Sequence, residues 1–304
     1  GFIEGLLNAN TDVTLVAGDE IFATGGPFTI TASGTGDLSL RIGNMISGGS
    51  GAFDGGGSYG GDCGSLGICS DVGVPNGSFN FAPDTSGDIN LTGISINIAG
   101  VFTASAGSAT GNVNLGAVSA AQVGINQQNT ALATGNVVTG ALTATNGSVL
   151  IDAGATTGNV TTGNLSGRNI NVNQNGAPVA TGAVSLGNVS AQDLVRVDAG
   201  TASGNLSVGG ITILSGSHSA ELDLEAAGGN VNIGGNVSVT ATPSAANART
   251  DIAGLIVNVN GNIVVNAGAT GTGSVDIQAV NGININGNVA VAAGGDSASI
   301  DLRT

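Results

Sequence analysis

The chain has 304 residues, of which 55 are Gly, 7 Phe, 1 Tyr and none Trp, so an ordinary core built around large rings is excluded. Hydrophobic residues reach 41% and charged ones only 8%, which excludes a disordered chain, since disorder needs low hydrophobicity and usually dense charge. The net charge of −15 comes from 20 acidic and 5 basic residues with no Lys, so nucleic acid and anionic lipid surfaces, which need clustered cations, are not expected partners.

In chain order, residues 1–47 read as strands: DVTLVAGDEI, PFTITAS and DLSLRIGN alternate apolar with polar positions. The start reads as an amphipathic strand, and neither end shows a polar or helical cap. Open strand edges invite another rung, so the expectation is either a longer chain or copies stacked end to end. The first residue is Gly1 rather than Met, which fits a processed product or a piece of something longer. No apolar run approaches the ~20 residues of a membrane span.

Residues 48–86 differ, with GGSGAFDGGGSYGGDCGSLGICSD followed by VPNGSFNFAPD, and they predict an insertion projecting from the body. Cys63 and Cys69 in this stretch predict a small disulfide clip and an oxidising compartment; the other readings are two free thiols or a metal pair lacking its remaining ligands. Asp54, Asp62 and Asp71, with loop carbonyls, are the candidate Ca²⁺ ligands, and otherwise no cofactor is expected. Phe53, Tyr59, Phe79 and Phe81 are either a contact surface or a cover for neighbouring rungs.

After the strongly alternating GDINLTGISINIAGVF at 87–102, repetition becomes plain. Blocks open at Gly111, Gly135, Gly158, Gly182, Gly204, Gly229, Gly261 and Gly282, with spacings of 24, 23, 24, 22, 25, 32 and 21 residues. Val113 and Leu115 alternate with Asn112 and Asn114, and a second alternating stretch follows in most blocks, as in SVLIDAG and AELDLEA. A rung of ~22–24 residues with two or three short strands cannot bury its apolar face alone, but a stack of rungs can. The predicted fold class is therefore all-β: one continuous parallel β-helix, or β-solenoid, over residues 1–304. The long interval predicts a minor loop insertion at 241–251.

The recurrent Gly-Asn has its own reading: Gly takes corner angles closed to other residues, and Asn bonds the backbone in turns. Asn112, Asn136, Asn159, Asn205 and Asn230 are expected to stack as an amide ladder along one corner. Asn-x-Ser/Thr triplets such as Asn159-Val160-Thr161 are by-products of that repetition.

The segment LLNANTDVTLVAGDEIFATGG at 6–26 resembles the filamentous-haemagglutinin-type repeats of large bacterial exoproteins, and INVNQN and ININGNV look like the same family. The resemblance implies a long right-handed β-helix, secreted by a two-partner-like route and used in adhesion. The family's secretion domain carries Asn-Pro-Asn near its start; Val74-Pro75-Asn76-Gly77 lacks the first Asn, so the resemblance supports the shaft rather than the secretion domain.

Polysaccharide lyases and hydrolases also use parallel β-helices, with grouped carboxylates beside Arg or Lys. Stacking would bring Asp152 and Asp198 into one row, or Asp223 and Asp276, though solvated outer carboxylates explain them as well. His218 reads as a solvent-exposed corner residue rather than a catalytic base. Thr falls in no regular row along the sequence, which argues against an ice-binding array. The expectation is a non-catalytic extracellular or cell-surface protein, an adhesin or fibre shaft. Its expected partners are itself, further rungs, or host and cell-surface glycans or proteins. The alternative is a polysaccharide-active enzyme.

Overall fold

The computed structural model describes residues 1–17, 20–23, 27–42, 68–70, 87–106, 110–125, 135–153, 158–172, 182–199, 204–243, 246–295 and 297–304. Within one rung the chain makes three short strands, such as Val113–Leu115, Val118–Ala120 and Val123–Ile125. Three residues are too few to hold a strand alone, so each pairs in parallel with its counterpart a rung away. The result is a β-solenoid with three parallel sheets around one narrow core. In later rungs two strands merge across a corner, as in Val189–Asp198 and Gly273–Ile285.

Each sheet carries an inward column. In sheet I it runs Ile21, Ile89, Val113, Val137, Val160, Val184, Leu206, Val231, Val257, Ile283. Sheet II has Ile30, Ile96, Val118, Leu142, Leu165, Val189, Ile211, Val237, Ile263, Val289. Sheet III has Val13, Leu38, Phe102, Val123, Val149, Ile170, Val195, Leu222, Thr250, Val275, Ile300. All but the last member of each column are buried, because a β-branched side chain packs on the one above at the ~4.8 Å rung spacing.

From Ile89 onward the sheet I partners stand 22 to 26 residues apart, close to the expected rung but reaching longer. The same register corrects the insertion expected at 241–251. Val231 pairs with Val257 and Val237 with Ile263, so Gly261 succeeds Gly235, not Gly229. The 32-residue interval joins two different corners. Residues 248–251 lie inside the strand Ala248–Val259, and the link from Ala241 to Ala248 is only two residues longer than the link from Ser215 to Ala220 above it.

The start of the chain is also corrected. Phe2–Asn8 is a helix, α1, whose Ile3 and Leu7 plug the core above the first rung. Glu4 Oε1 accepts the Thr31 N–H at 3.0 Å, and Asn8 Oδ1 accepts the Ser33 N–H at 2.8 Å. Seven residues give too few turns for a helical period to stand out, which is why the segment reads as a strand. Of the expected insertion at 48–86, Ile68–Ser70 alone lies within the described residues. It pairs with Ile21–Ala23 in the one antiparallel pairing among the described residues.

The corner before sheet I is held by side chains. Asn136 donates its backbone N–H to Asn112 Oδ1 at 2.9 Å, Asn159 to Asn136 Oδ1 at 3.0 Å, and Asn230 to Asn205 Oδ1 at 2.8 Å. Each Oδ1 replaces the carbonyl that a parallel ladder cannot offer at a bend. Asp88 opens this column, and Ala183 interrupts it by donating to Asn159 without an amide of its own. A second ladder, not foreseen in the sequence, runs through Asn164 and Asn188, and again through Asn236, Asn262 and Asn288.

Corner glycines answer to space rather than to left-handed angles. Among the described residues only Gly93 and Gly282 are glycines with positive φ. A Cβ on Gly135 would lie 2.4 Å from the Thr110 carbonyl oxygen, and one on Gly229 would lie 2.0 Å from that of Gly204.

Asn136→Ala is expected to cost ~1 kcal/mol, because the Asn159 N–H loses its acceptor. Asn136→Asp keeps an acceptor oxygen, as Asp12 does toward the Asp37 N–H, and is expected to retain most of the stability. Denaturant midpoints of the two variants check this.

Candidate functional site: the charged face

Charge is sorted by sheet. The paired segments of sheets I and II carry no charged side chain, whereas the strand-borne charges stand on sheet III or at its corner with sheet II. The outward column of sheet III runs Asn171, Arg196, Asp223, Asp251, Asp276, Asp301. One neighbouring column holds Glu221 and Arg249, and the other Asp198, Glu225, Gln278 and Arg303. Asp223 and Asp276 thus share a row, with Asp251 between them. Asp152 and Asp198 follow the paired Ile151, Val172 and Val197, and so hold equivalent positions two rungs apart.

Arg196, Arg249 and Arg303 each answer to a carboxylate. Arg196 reaches Asp223 at 3.0 Å and Glu221 at 3.4 Å; Arg249 pairs with Asp251; Arg303 pairs with Asp276 and meets Asp301 at 3.2 Å. Carboxylates still outnumber guanidinium groups. Burial, then Asp198 and Asp223, push the Glu225 carboxyl above its usual range. Burial also raises Asp251, with Asp223 and Asp276 adding to it against the pull of Arg249.

A group whose folded pKa is raised binds protons that the unfolded chain does not, so stability falls as pH rises through that window. Glu225 and Asp251 therefore favour the fold when pH drops from neutral toward the ordinary carboxylate values of 4.5 and 3.8. Asp193 acts oppositely. Burial raises its carboxyl, but hydrogen bonds from Arg168 and Ser215 outweigh that and lower it, so its contribution is lost as pH falls through its folded value. Asp251→Asn is expected to raise the melting temperature at neutral pH by a degree or two and to flatten its pH dependence. Thermal scans across the acidic range check both.

The corner between sheets II and III gathers Arg168, Asp193, Ser215, Ser217 and His218 from three rungs. Arg168 Nε donates to Asp193 Oδ2 at 2.7 Å, Ser215 Oγ donates to Asp193 Oδ1 at 2.9 Å, and the His218 N–H donates to Ser215 Oγ at 3.0 Å. Ser217 Oγ lies 2.8 Å from His218 Nδ1, and Asp193 Oδ2 lies 3.5 Å from the same nitrogen. A serine–histidine–aspartate relay needs the serine and the carboxylate on opposite ring nitrogens. Here they share one, so the cluster ties rungs together and does not form that relay. His218 is exposed, where the sequence put it.

Sheet II aligns what the linear sequence scatters. Its outward column runs Thr31, Asn97, Ser119, Thr143, Ser166, Ser190, Thr212, Ser238, a near-continuous hydroxyl row where none was expected, and then ends in Val264 and Ala290. Mixed Ser, Thr and Asn distinguish it from a uniform Thr array.

Asp54, Asp62, Asp71, Phe53, Tyr59, Phe79, Phe81 and Cys63 lie outside the described residues, and of Cys69 the strand alone is described. Among the described residues no three His, Cys, Asp or Glu side chains converge as metal donors, since the carboxylates of sheet III are spread along a column. No helix among them is long and apolar enough to cross a membrane. Comparison of the chain with family models, with curated proteins and with solved structures returns no match.

Proposed function

We propose that this chain is a non-catalytic structural protein, a shaft or stalk of an extracellular or cell-surface adhesin of filamentous-haemagglutinin type. The observation that carries this reading is the vertical register of three inward columns, aliphatic but for Phe102 and Thr250, reinforced by Asn ladders at the corners. Such a stack is a stiff spacer, and its length scales with the number of rungs. Segregating charge on sheet III leaves two neutral faces of hydroxyls and amides, suited to glycan or protein contact or to lateral packing of copies. A Cys63–Cys69 clip, a Ca²⁺ site at Asp54, Asp62 and Asp71, and contact through the aromatic residues of 48–86 belong to the same reading. So does further end-to-end extension by rungs of the same kind.

The Arg-flanked carboxylate column favours a second reading, an enzyme acting on polysaccharides along sheet III. One experiment separates the two. The purified chain is incubated with a panel of neutral and acidic polysaccharides, with retention on the polymer and release of new reducing or unsaturated ends both followed. Retention without release supports the adhesin; release that disappears in Asp276→Asn replaces it with the enzyme. Trypsin tests the shaft directly. The five Arg are its only basic cleavage sites, and Arg196, Arg249 and Arg303 are ion-paired on sheet III. The native chain is expected to outlast the unfolded chain severalfold, and rapid digestion of native material would count against a packed stack.

A further inference from the structure

Two stretches near the top of the solenoid are covered by unrelated devices. Residues Glu4, Asn8, Asn10 and Asp12 accept the backbone N–H groups of Thr31, Ser33, Thr35 and Asp37. Ile21–Ala23, the first strand of sheet I, is covered instead by Ile68–Ser70, with Phe22 opposite Cys69. Ile21 donates its N–H downward to the Asp88 carbonyl at 2.9 Å, so ladder alternation aims the Phe22 N–H at the outer edge. That strand bears no charge, Pro or bulge, the usual protections of an edge.

We propose that the outer edge of Ile21–Ala23 is a self-association surface for a second copy of this chain, held shut by Ile68–Ser70. The edge already takes an antiparallel partner three residues long. Two copies related by a two-fold axis through Phe22 offer each other that geometry with the same residues on both sides. The guard strand and a second copy compete for one row of backbone groups. This goes beyond the shaft reading and does not need it, because association is measured without any adhesion assay.

The test uses the full chain carrying Cys69→Pro, which removes the one guard-strand N–H that faces Phe22. Sedimentation over a dilution series reads the mass, and circular dichroism verifies the β-content. The expected result is at least a doubling of mass at high concentration, reversed by dilution and abolished when Phe22→Pro is added. The milder Ile68→Gly with Ser70→Gly is expected to shift the mass in the same direction. Unchanged mass in both guard variants overturns the proposal, as does an increase that Phe22→Pro leaves in place.

Discussion

Replacing Phe102 by alanine is expected to destabilise the fold by about 3–5 kcal/mol. Phe102 is the largest fully buried side chain among the described residues and stands in the sheet III column between Leu38 and Val123. Its neighbours are held by parallel pairing above and below, so they cannot collapse into the space the ring leaves. Phe102 pairs with Leu38, 64 residues earlier in the chain, so it joins rungs that the sequence sets far apart. In a stack each rung contacts only its neighbours, so the loss is expected to concentrate in the first rungs. Denaturant unfolding measures the magnitude, and hydrogen exchange locates it. Equal loss of protection from Val13 to Val275 would contradict nearest-neighbour behaviour. Phe102→Leu, which keeps most of the volume, is expected to lose much less.

Thr250→Val is expected to stabilise the chain by about 1–3 kcal/mol, the cost of a buried hydroxyl without a partner. Thr250 is fully buried between Leu222 and Val275, and its Oγ1 finds no hydrogen-bond partner. The other inward hydroxyls are satisfied: Thr139 and Thr162 bond the following glycine carbonyls at 3.0 and 2.9 Å, and Ser215 bonds Asp193. Valine has nearly the same shape and no polar atom. Thr139→Val serves as the control, because it removes a made hydrogen bond and is expected to be neutral or destabilising. Equal effects at the two positions would show that the Thr250 hydroxyl has a partner after all.

Much of the fold was legible because a solenoid is periodic. Alternation in VNL, VVT and VTT marks inward positions directly, and Gly-Asn marks the corners, so strands and stacking follow from local pattern. The register was less legible. Gly-Asn occurs at two corners of the same rung, and only pairing shows that Asn262 follows Asn236 and not Asn230. That ambiguity produced the apparent insertion at 241–251. Helix α1 was missed because a seven-residue amphipathic segment looks alike at strand and helix periods. The role of the corner glycines was misjudged because sequence cannot separate a need for unusual angles from a need for empty space.

The candidate site was legible in parts. That Asp223 and Asp276 share a row follows from rung arithmetic, but Asp251 enters only through the actual strand Ala248–Val259. Arg168, Asp193 and His218 are 25 and 50 residues apart in the chain, and no short motif links them.

By itself the sequence determined the all-β solenoid, the length of its rungs to within a few residues and the aliphatic core, because hydrophobic alternation and turn residues act over neighbouring positions. The tertiary structure alone decided which residues become vertical neighbours: the sorting of charge onto sheet III, the hydroxyl row on sheet II, the plug of α1 and the guard strand on Ile21–Ala23. Those depend on how many residues each corner absorbs, and one residue more or less turns an outward column inward.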